Sequence, residues 1–487
     1  MDLSIKGTNF LGYLPSQKGT QTFSTFSCRY QKSNEEVFHQ ITESELEIAL
    51  EKASAASEKY ALAPIEKRRN FLREIIALLE EHRTLLVQQF SKESSLSEDR
   101  GNVELARTQA QIQTYLDFIS RKDWNLLHSQ ELNGVSFEKR LCPIGPVVVF
   151  GASNFPFAYS TVGGDVASAL AAGNPVIYKA NPFHAGLSEM VAGIVLQAAE
   201  NNDLPDGVFS LVQGNDYWIG ETLLKDERVK AVGFTGSVRG GEALLNYAKE
   251  RKTPIPVFCE MGSLNPVFIF KDAFEGRTKE MVEKLSSAIK NDGGQFCTKP
   301  GLLFIEERGS EMFINAMRDE FTSAAAVPLL HPSIYNSFLK LSSVFDRFPV
   351  YRVEATAPEY SVYPQLTEMT AKEFSAFPAA KEEVFGPFSI IVKCADESEM
   401  KACFETIGGH LAASVWTDQS LSEEWMYLLS SRVGRIIKNG VSTGVAVIDS
   451  MHHGGNFPST SDSRFTAVGK DAIYRFLQPV TLQNFKS

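Results

Sequence analysis

The sequence predicts an α/β fold with two sheet-bearing lobes, and three observations predict it. Short apolar runs at 147–150, 175–178, 208–211, 229–232 and 255–258 alternate with segments of helix length. The runs are continuous rather than alternating, as expected of strands that crossover helices bury on both faces of a parallel sheet. The pattern then starts again at 267–270, 302–305, 389–392, 411–416 and 435–438, which gives the second lobe.

The chain before residue 120 reads as mostly helical. Thr42 and Glu45 form a capping-box pair ahead of Leu46, Ala49, Leu50 and Ala53; such a pair satisfies amides that a first turn leaves free. Pro64 suits the start of a second helix carrying Phe71, Leu72, Ile75, Ile76 and Leu79. Leu105, Ile112, Leu116 and Ile119 mark a third. From 124 to 141 that period is lost and Val135, Phe137 and Leu141 alternate, so a small strand excursion is expected. The stretch 324–381 shows little pattern, and 480–483 reads as an edge strand.

Composition excludes several classes. With 43% apolar and 22% charged residues the 487-residue chain is an ordinary soluble globular one. A formal net charge of -11 argues against a nucleic-acid surface, which would be basic. No apolar run approaches the roughly 18 residues that span a bilayer, and the start of the chain lacks a secretion signal's apolar core. Cys28, Cys142, Cys259, Cys297, Cys394 and Cys403 show neither paired metal-ligand spacing nor a disulfide framework. No metal, no nucleic acid, no membrane and a cytoplasmic location are the expectations.

The chemistry is expected at the carboxyl ends of the strands, where open α/β sheets bind ligands. Cys297 stands in the loop Asn291-Asp292-Gly293-Gly294-Gln295-Phe296-Cys297-Thr298-Lys299-Pro300-Gly301, whose glycines let the backbone bend around a reacting group. Taken alone it reads first as a small buried apolar thiol, and only the rest of the chain favours a nucleophile. Glu260 ends the fifth run; a carboxylate there must be paired or used, and partial desolvation suits it to be a general base. Asn154 follows the first run, either as an oxyanion donor or as a simple turn before proline. Lys179 ends the second, as a ligand group or a solvated lysine. Gly236, Ser237 and Gly241 sit between the fourth run and a helix, where free amides favour a phosphate.

These residues, with Glu383 and Phe385 in Glu-Glu-Val-Phe-Gly-Pro, resemble in order and spacing the motifs of the aldehyde dehydrogenase superfamily over nearly the whole chain. The segments around Asn154, Gly163 to Gly173 and His453 to Thr466 look most like its α-ketoglutaric semialdehyde dehydrogenase (2,5-dioxovalerate) branch, with a long-chain aldehyde dehydrogenase branch close by. The resemblance implies a Rossmann-like cofactor domain (1–120 and 143–258), a catalytic domain (259–448) and a small β oligomerisation arm (121–142 and 466–487). It implies Cys297 as nucleophile, Asn154 as oxyanion donor and Glu260 as the base that hydrolyses a thioester. Lys179, Ser237, Gly236, Gly241, Glu383 and Phe385 would hold the cofactor, and a homo-oligomer is expected. Pro182 stands where NAD-preferring members often carry a glutamate, which favours NADP while leaving NAD possible. The distal carboxylate of a semialdehyde needs a cation or donor, for which Arg464 and His453 are candidates, although a structural salt bridge is the role expected first of Arg464. Lys299 is expected to point to solvent. A medium- or long-chain aliphatic aldehyde is the alternative substrate, and a non-catalytic binding protein the alternative of another class. A cysteine hydrolase is disfavoured because no histidine lies in a motif suited to pair with Cys297.

Overall fold

The computed structural model describes residues 3–485. Two seven-stranded sheets carry the two lobes. In the first, the strands run in the order Val257–Glu260, Ala231–Thr235, Val147–Phe150, Val176–Lys179, Phe209–Val212, Asn9–Leu11 and Leu14–Ser16. The five expected strands are parallel to one another. The two N-terminal strands add antiparallel at the edge and lie in the stretch that the sequence reading took as mostly helical. Strand order reverses between Val147–Phe150 and Ala231–Thr235, so a crevice opens at their carboxyl ends.

The second sheet runs Val350–Tyr351, Gln365–Thr370, Phe388–Cys394, Leu302–Glu306, Val267–Ile269, His410–Trp416 and Val433–Lys438, all parallel except the first strand. Gln365–Thr370 and the helix Pro332–Ser343 both fall within the stretch that showed no pattern. A third, antiparallel sheet joins Leu477–Gln483, Val135–Pro143 and Leu126–Leu132, so the strand excursion pairs with the tail.

The helical reading of the first third holds from Glu43 onward; ahead of it the described residues form six short strands and no helix. Thr42 caps the helix Glu43–Ala61 through a reciprocal bond with Glu45, and Pro64 directly precedes Ile65–Glu81. The helix Glu98–Ile119 buries Leu105, Ile112, Leu116 and Ile119 and carries Arg100 and Arg107 towards the junction of the lobes. Among the described residues no helix is long and apolar enough to cross a membrane.

Candidate active site

The cysteine loop is held from four directions. Asp292, Gly293 and Gly294 take consecutive positive φ values of 48°, 66° and 63°. A Cβ on Gly294 would lie 2.5 Å from the Gly386 carbonyl, so only glycine lets the loop pass the Glu383–Pro387 segment. Arg100 donates from Nε to Asp292 at 2.8 Å. The buried amide of Asn265 donates to the carbonyls of Cys297 at 2.8 Å and Lys299 at 3.0 Å. Ser442 donates to the Thr298 carbonyl at 2.6 Å. Asn154 donates to the Gln295 carbonyl at 2.9 Å, which brings it beside the loop with its second amide hydrogen left for a ligand.

Glu260 is reached from the other sheet. The segment after Phe457 lies against its strand: Met261 donates to the Ser459 carbonyl at 2.8 Å and Cys259 to Ser461 Oγ at 2.8 Å. The side chain is 5% exposed, and His453 Nε2 lies 3.0 Å from its Oε1. The same Nε2 is 3.9 Å from Cys297 Sγ. The donor atoms of Glu260, Cys297 and His453 all lie within 4.8 Å of one another. His453 itself is fixed by its main-chain N–H to Thr466 Oγ1 at 2.9 Å and by Ala467, which donates to its carbonyl at 2.8 Å.

The electrostatics move Glu260 and Cys297 in opposite directions. Burial works to raise the Glu260 pKa, but the neighbouring His453 and the Cys297 thiol outweigh it and hold the carboxyl below its usual range. Burial and the facing Glu260 carboxylate push the Cys297 thiol well above its ordinary value. The resting pair is therefore a thiol beside a carboxylate.

The crevice at the first sheet's strand ends is a cleft of about 740 Å³ lined by Phe150, Lys179, Pro182, Phe234, Ser237 and Gly240 among others. Lys179 donates to the carbonyls of Ala180 at 2.8 Å and Gly214 at 2.5 Å, and burial lowers its pKa to about 8. Ser237 caps the helix Val238–Lys249 by accepting from the Gly240 N–H at 3.2 Å. Gly236 donates to the Glu260 carbonyl at 3.0 Å, and Gly241 turns inward against Met261. Glu383 rests on Gly262, and burial raises its pKa to about 7 against the pull of Lys299. Its Oε1 is enclosed and accepts no hydrogen bond, the state a ribose hydroxyl would relieve. Phe385 is half-buried two residues further on. The cleft, the helix terminus and this acceptor fit a dinucleotide.

Three expectations change. Lys299 is 2% exposed and donates to the carbonyls of Val384 at 3.3 Å and Phe388 at 2.6 Å, so it braces the Glu383 loop instead of facing water. Arg464 is exposed and paired with Asp462 at 2.5 Å, the structural salt bridge foreseen as its other role. A histidine does reach Cys297: His453 arrives from a segment 156 residues away, and no local motif announces that. Asn265 and Ser442, which hold the cysteine loop, were also missed. Only the positive φ of 43° at Asn265, invisible in sequence, marks it as unusual.

The sequence model of the aldehyde dehydrogenase family matches residues 16–333. The chain belongs to that family. This aldehyde dehydrogenase is 35% identical over 92% of its length to the α-ketoglutaric semialdehyde dehydrogenase of Acinetobacter baylyi, covering 88% of that protein. It is 36% identical to α-ketoglutaric semialdehyde dehydrogenase 2 of Azospirillum brasilense, over 92% of this chain and 88% of the other. Among solved structures, the Thermus 1-pyrroline-5-carboxylate dehydrogenase with bound NAD superposes with a TM-score of 0.85 at 19% identity, over 98% of this chain and 92% of that one. The NADP-dependent glyceraldehyde-3-phosphate dehydrogenase of Bacillus halodurans complexed with NADP gives 0.85 at 19% identity, over 99% of each. At such identity these structures speak for the fold of the aldehyde dehydrogenase alone.

Proposed function

We propose that the protein oxidises α-ketoglutaric semialdehyde to 2-oxoglutarate with NADP, NAD being the second cofactor, and releases a free acid. The observation that carries the reading is the meeting of Cys297, Glu260 and Asn154, drawn from three separated segments, beside a dinucleotide-sized cleft. A nicotinamide dinucleotide, when bound, supplies the hydride acceptor. Lys179, Ser237, Gly236, Gly241, Glu383 and Phe385 would hold it, Lys179 and Glu383 through its ribose hydroxyls.

Cys297 gives its proton to the Glu260–His453 pair as its sulfur attacks the aldehyde carbon, which moves an unfavourable ionisation into the bond-forming step. The second hydrogen of the Asn154 amide and the Cys297 main-chain N–H stabilise the oxyanion. After hydride departure the proton taken from Cys297 passes to solvent; Glu260, with His453 beside it, then takes a proton from water, the water attacks the thioester, and that proton returns to the departing sulfur. This base is why the acid is released instead of being passed to another thiol.

The semialdehyde is supported by the two curated relatives. An aliphatic aldehyde is favoured by one observation, the apolar cluster of Phe155, Tyr159, Val445, Val447 and Met451 close to the cysteine. Initial rates on both substrates with each cofactor separate the readings: a higher kcat/KM on hexanal than on the semialdehyde overturns the first. No turnover of any aldehyde by protein that binds NADP supports a non-catalytic role. The strand Leu126–Leu132 is exposed at an open sheet edge, and we assign the three-stranded arm to homo-oligomerisation. All six cysteines are free, in keeping with the cytoplasm.

A further inference from the structure

Two guanidinium groups reach the surroundings of the cysteine from different elements, and neither has a role in the chemistry above. Arg107, on the helix Glu98–Ile119, donates from Nη2 to the Tyr159 hydroxyl at 3.2 Å and lies over the Tyr159 ring at 5.3 Å. That ring is 6.0 Å from the His453 imidazole. Arg435, on the strand Val433–Lys438, donates to the Ser442 carbonyl and approaches Met451 Sδ at 3.7 Å. Ser442 is the residue whose hydroxyl holds Thr298, next to the cysteine.

Both arginines are half-buried, and among the described residues neither has a carboxylate within 4.0 Å. The acid nearest Arg107 in sequence, Glu104, is already engaged by Arg100 and by the amides of Phe157 and Ala158. Withdrawing a cation from water without an anionic partner is costly, so such a group is kept for a use. Ionising the thiol is not that use. Although the charge of Arg107 works in that direction, burial, Glu260 and Glu383 outweigh it and the thiol stays protonated. Planar guanidinium forks are instead the groups best matched to a carboxylate.

We propose that Arg107 and Arg435 form the subsite that binds the distal carboxylate of the aldehyde substrate, in the place that sequence reasoning gave to Arg464. The proposal rests on the reading that the substrate is an anionic semialdehyde, and names the residues that select it. Phe155, Val447 and Met451 then pack the methylene chain, while the two cations fix its far end and leave the aldehyde at Cys297.

The test is kcat/KM of Arg107→Met and Arg435→Met on α-ketoglutaric semialdehyde and on pentanal, a neutral aldehyde of equal chain length. Each variant is expected to lose about 30- to 100-fold on the semialdehyde, chiefly through KM, as for loss of a charge-assisted hydrogen bond. The loss on pentanal is expected to be smaller by about tenfold or more. Arg107→Lys and Arg435→Lys restore part of the selectivity, and serve where a methionine variant folds poorly. In the unmodified enzyme glutarate competes with the semialdehyde, and its inhibition constant rises in the variants. Equal losses on both aldehydes would assign the arginines to holding Tyr159 and the cysteine loop, and would overturn the subsite. Retained selectivity in folded variants overturns it too. If the unmodified enzyme itself shows no preference for the semialdehyde over pentanal, the substrate reading fails, an outcome seen before any variant is made.

Discussion

His453 Nε2 stands 3.0 Å from Glu260 Oε1 and 3.9 Å from Cys297 Sγ. The contact helps hold the carboxyl ionised, because burial alone would push it up and His453, with the Cys297 thiol, reverses that.

His453→Asn is therefore expected to raise the Glu260 pKa. Above its folded pKa the carboxylate is the available base, and below it activity is lost. A carboxyl held low keeps activity into acid, so releasing it moves the acid limb of the kcat profile to higher pH. At the optimum kcat should fall about 10²-fold, the ordinary contribution of one acid–base partner. An unchanged acid limb would leave His453 with a packing role only.

Glu260→Gln should act on the thiol in the opposite sense. Burial is the largest influence raising Cys297, and the Glu260 charge is the next. Removing that charge lowers the thiol pKa, so iodoacetamide should label Cys297 faster at pH about 8 in the variant, although steady-state turnover collapses as the thioester accumulates. Quenched mass spectrometry reads both effects, and slower labelling would contradict the assignment.

Pro182→Glu introduces a carboxylate at the wall of the cofactor cleft. A doubly charged 2′-phosphate would be repelled while a 2′-hydroxyl could donate to it. The expected result is a loss of about tenfold or more in kcat/KM for NADP with NAD retained. Parallel losses for both cofactors would place the 2′ position elsewhere.

Asn265→Ala removes the amide that reaches the Cys297 and Lys299 carbonyls and leaves both acceptors buried. Unsatisfied buried carbonyls cost about 1–3 kcal/mol each. A lower denaturant midpoint is expected, with a fall in kcat on both aldehydes. A stability loss without a kinetic one would show that the loop keeps its shape by other means.

Most of the architecture was legible before any coordinates. Parallel strands buried on both sides leave continuous apolar runs, and ten of them lie where the sequence put them to within a few residues. The strand Gln365–Thr370 escaped because Gln365, Thr367 and Glu368 are buried polar residues, Glu368 in partnership with Arg318 at 2.6 Å. Apolar patterning cannot register such a strand. In the site, Cys297 and Glu260 were visible because each sits in a local motif. His453 was named only as a substrate residue, since its contacts with Glu260 and Cys297 arise from chain segments far apart. Lys299 was misplaced because a lysine is ordinarily solvated, and nothing local foretells two carbonyls waiting inside.

Glu260 closes one sheet and Asn265, five residues on, opens the approach to the other while gripping the thiol loop. The backbone that passes from one sheet to the other is thus also the floor of the reaction chamber. Four residues separate the base from the amide that holds the sulfur's loop, so the spacing of acid and thiol is set along a single short stretch of chain.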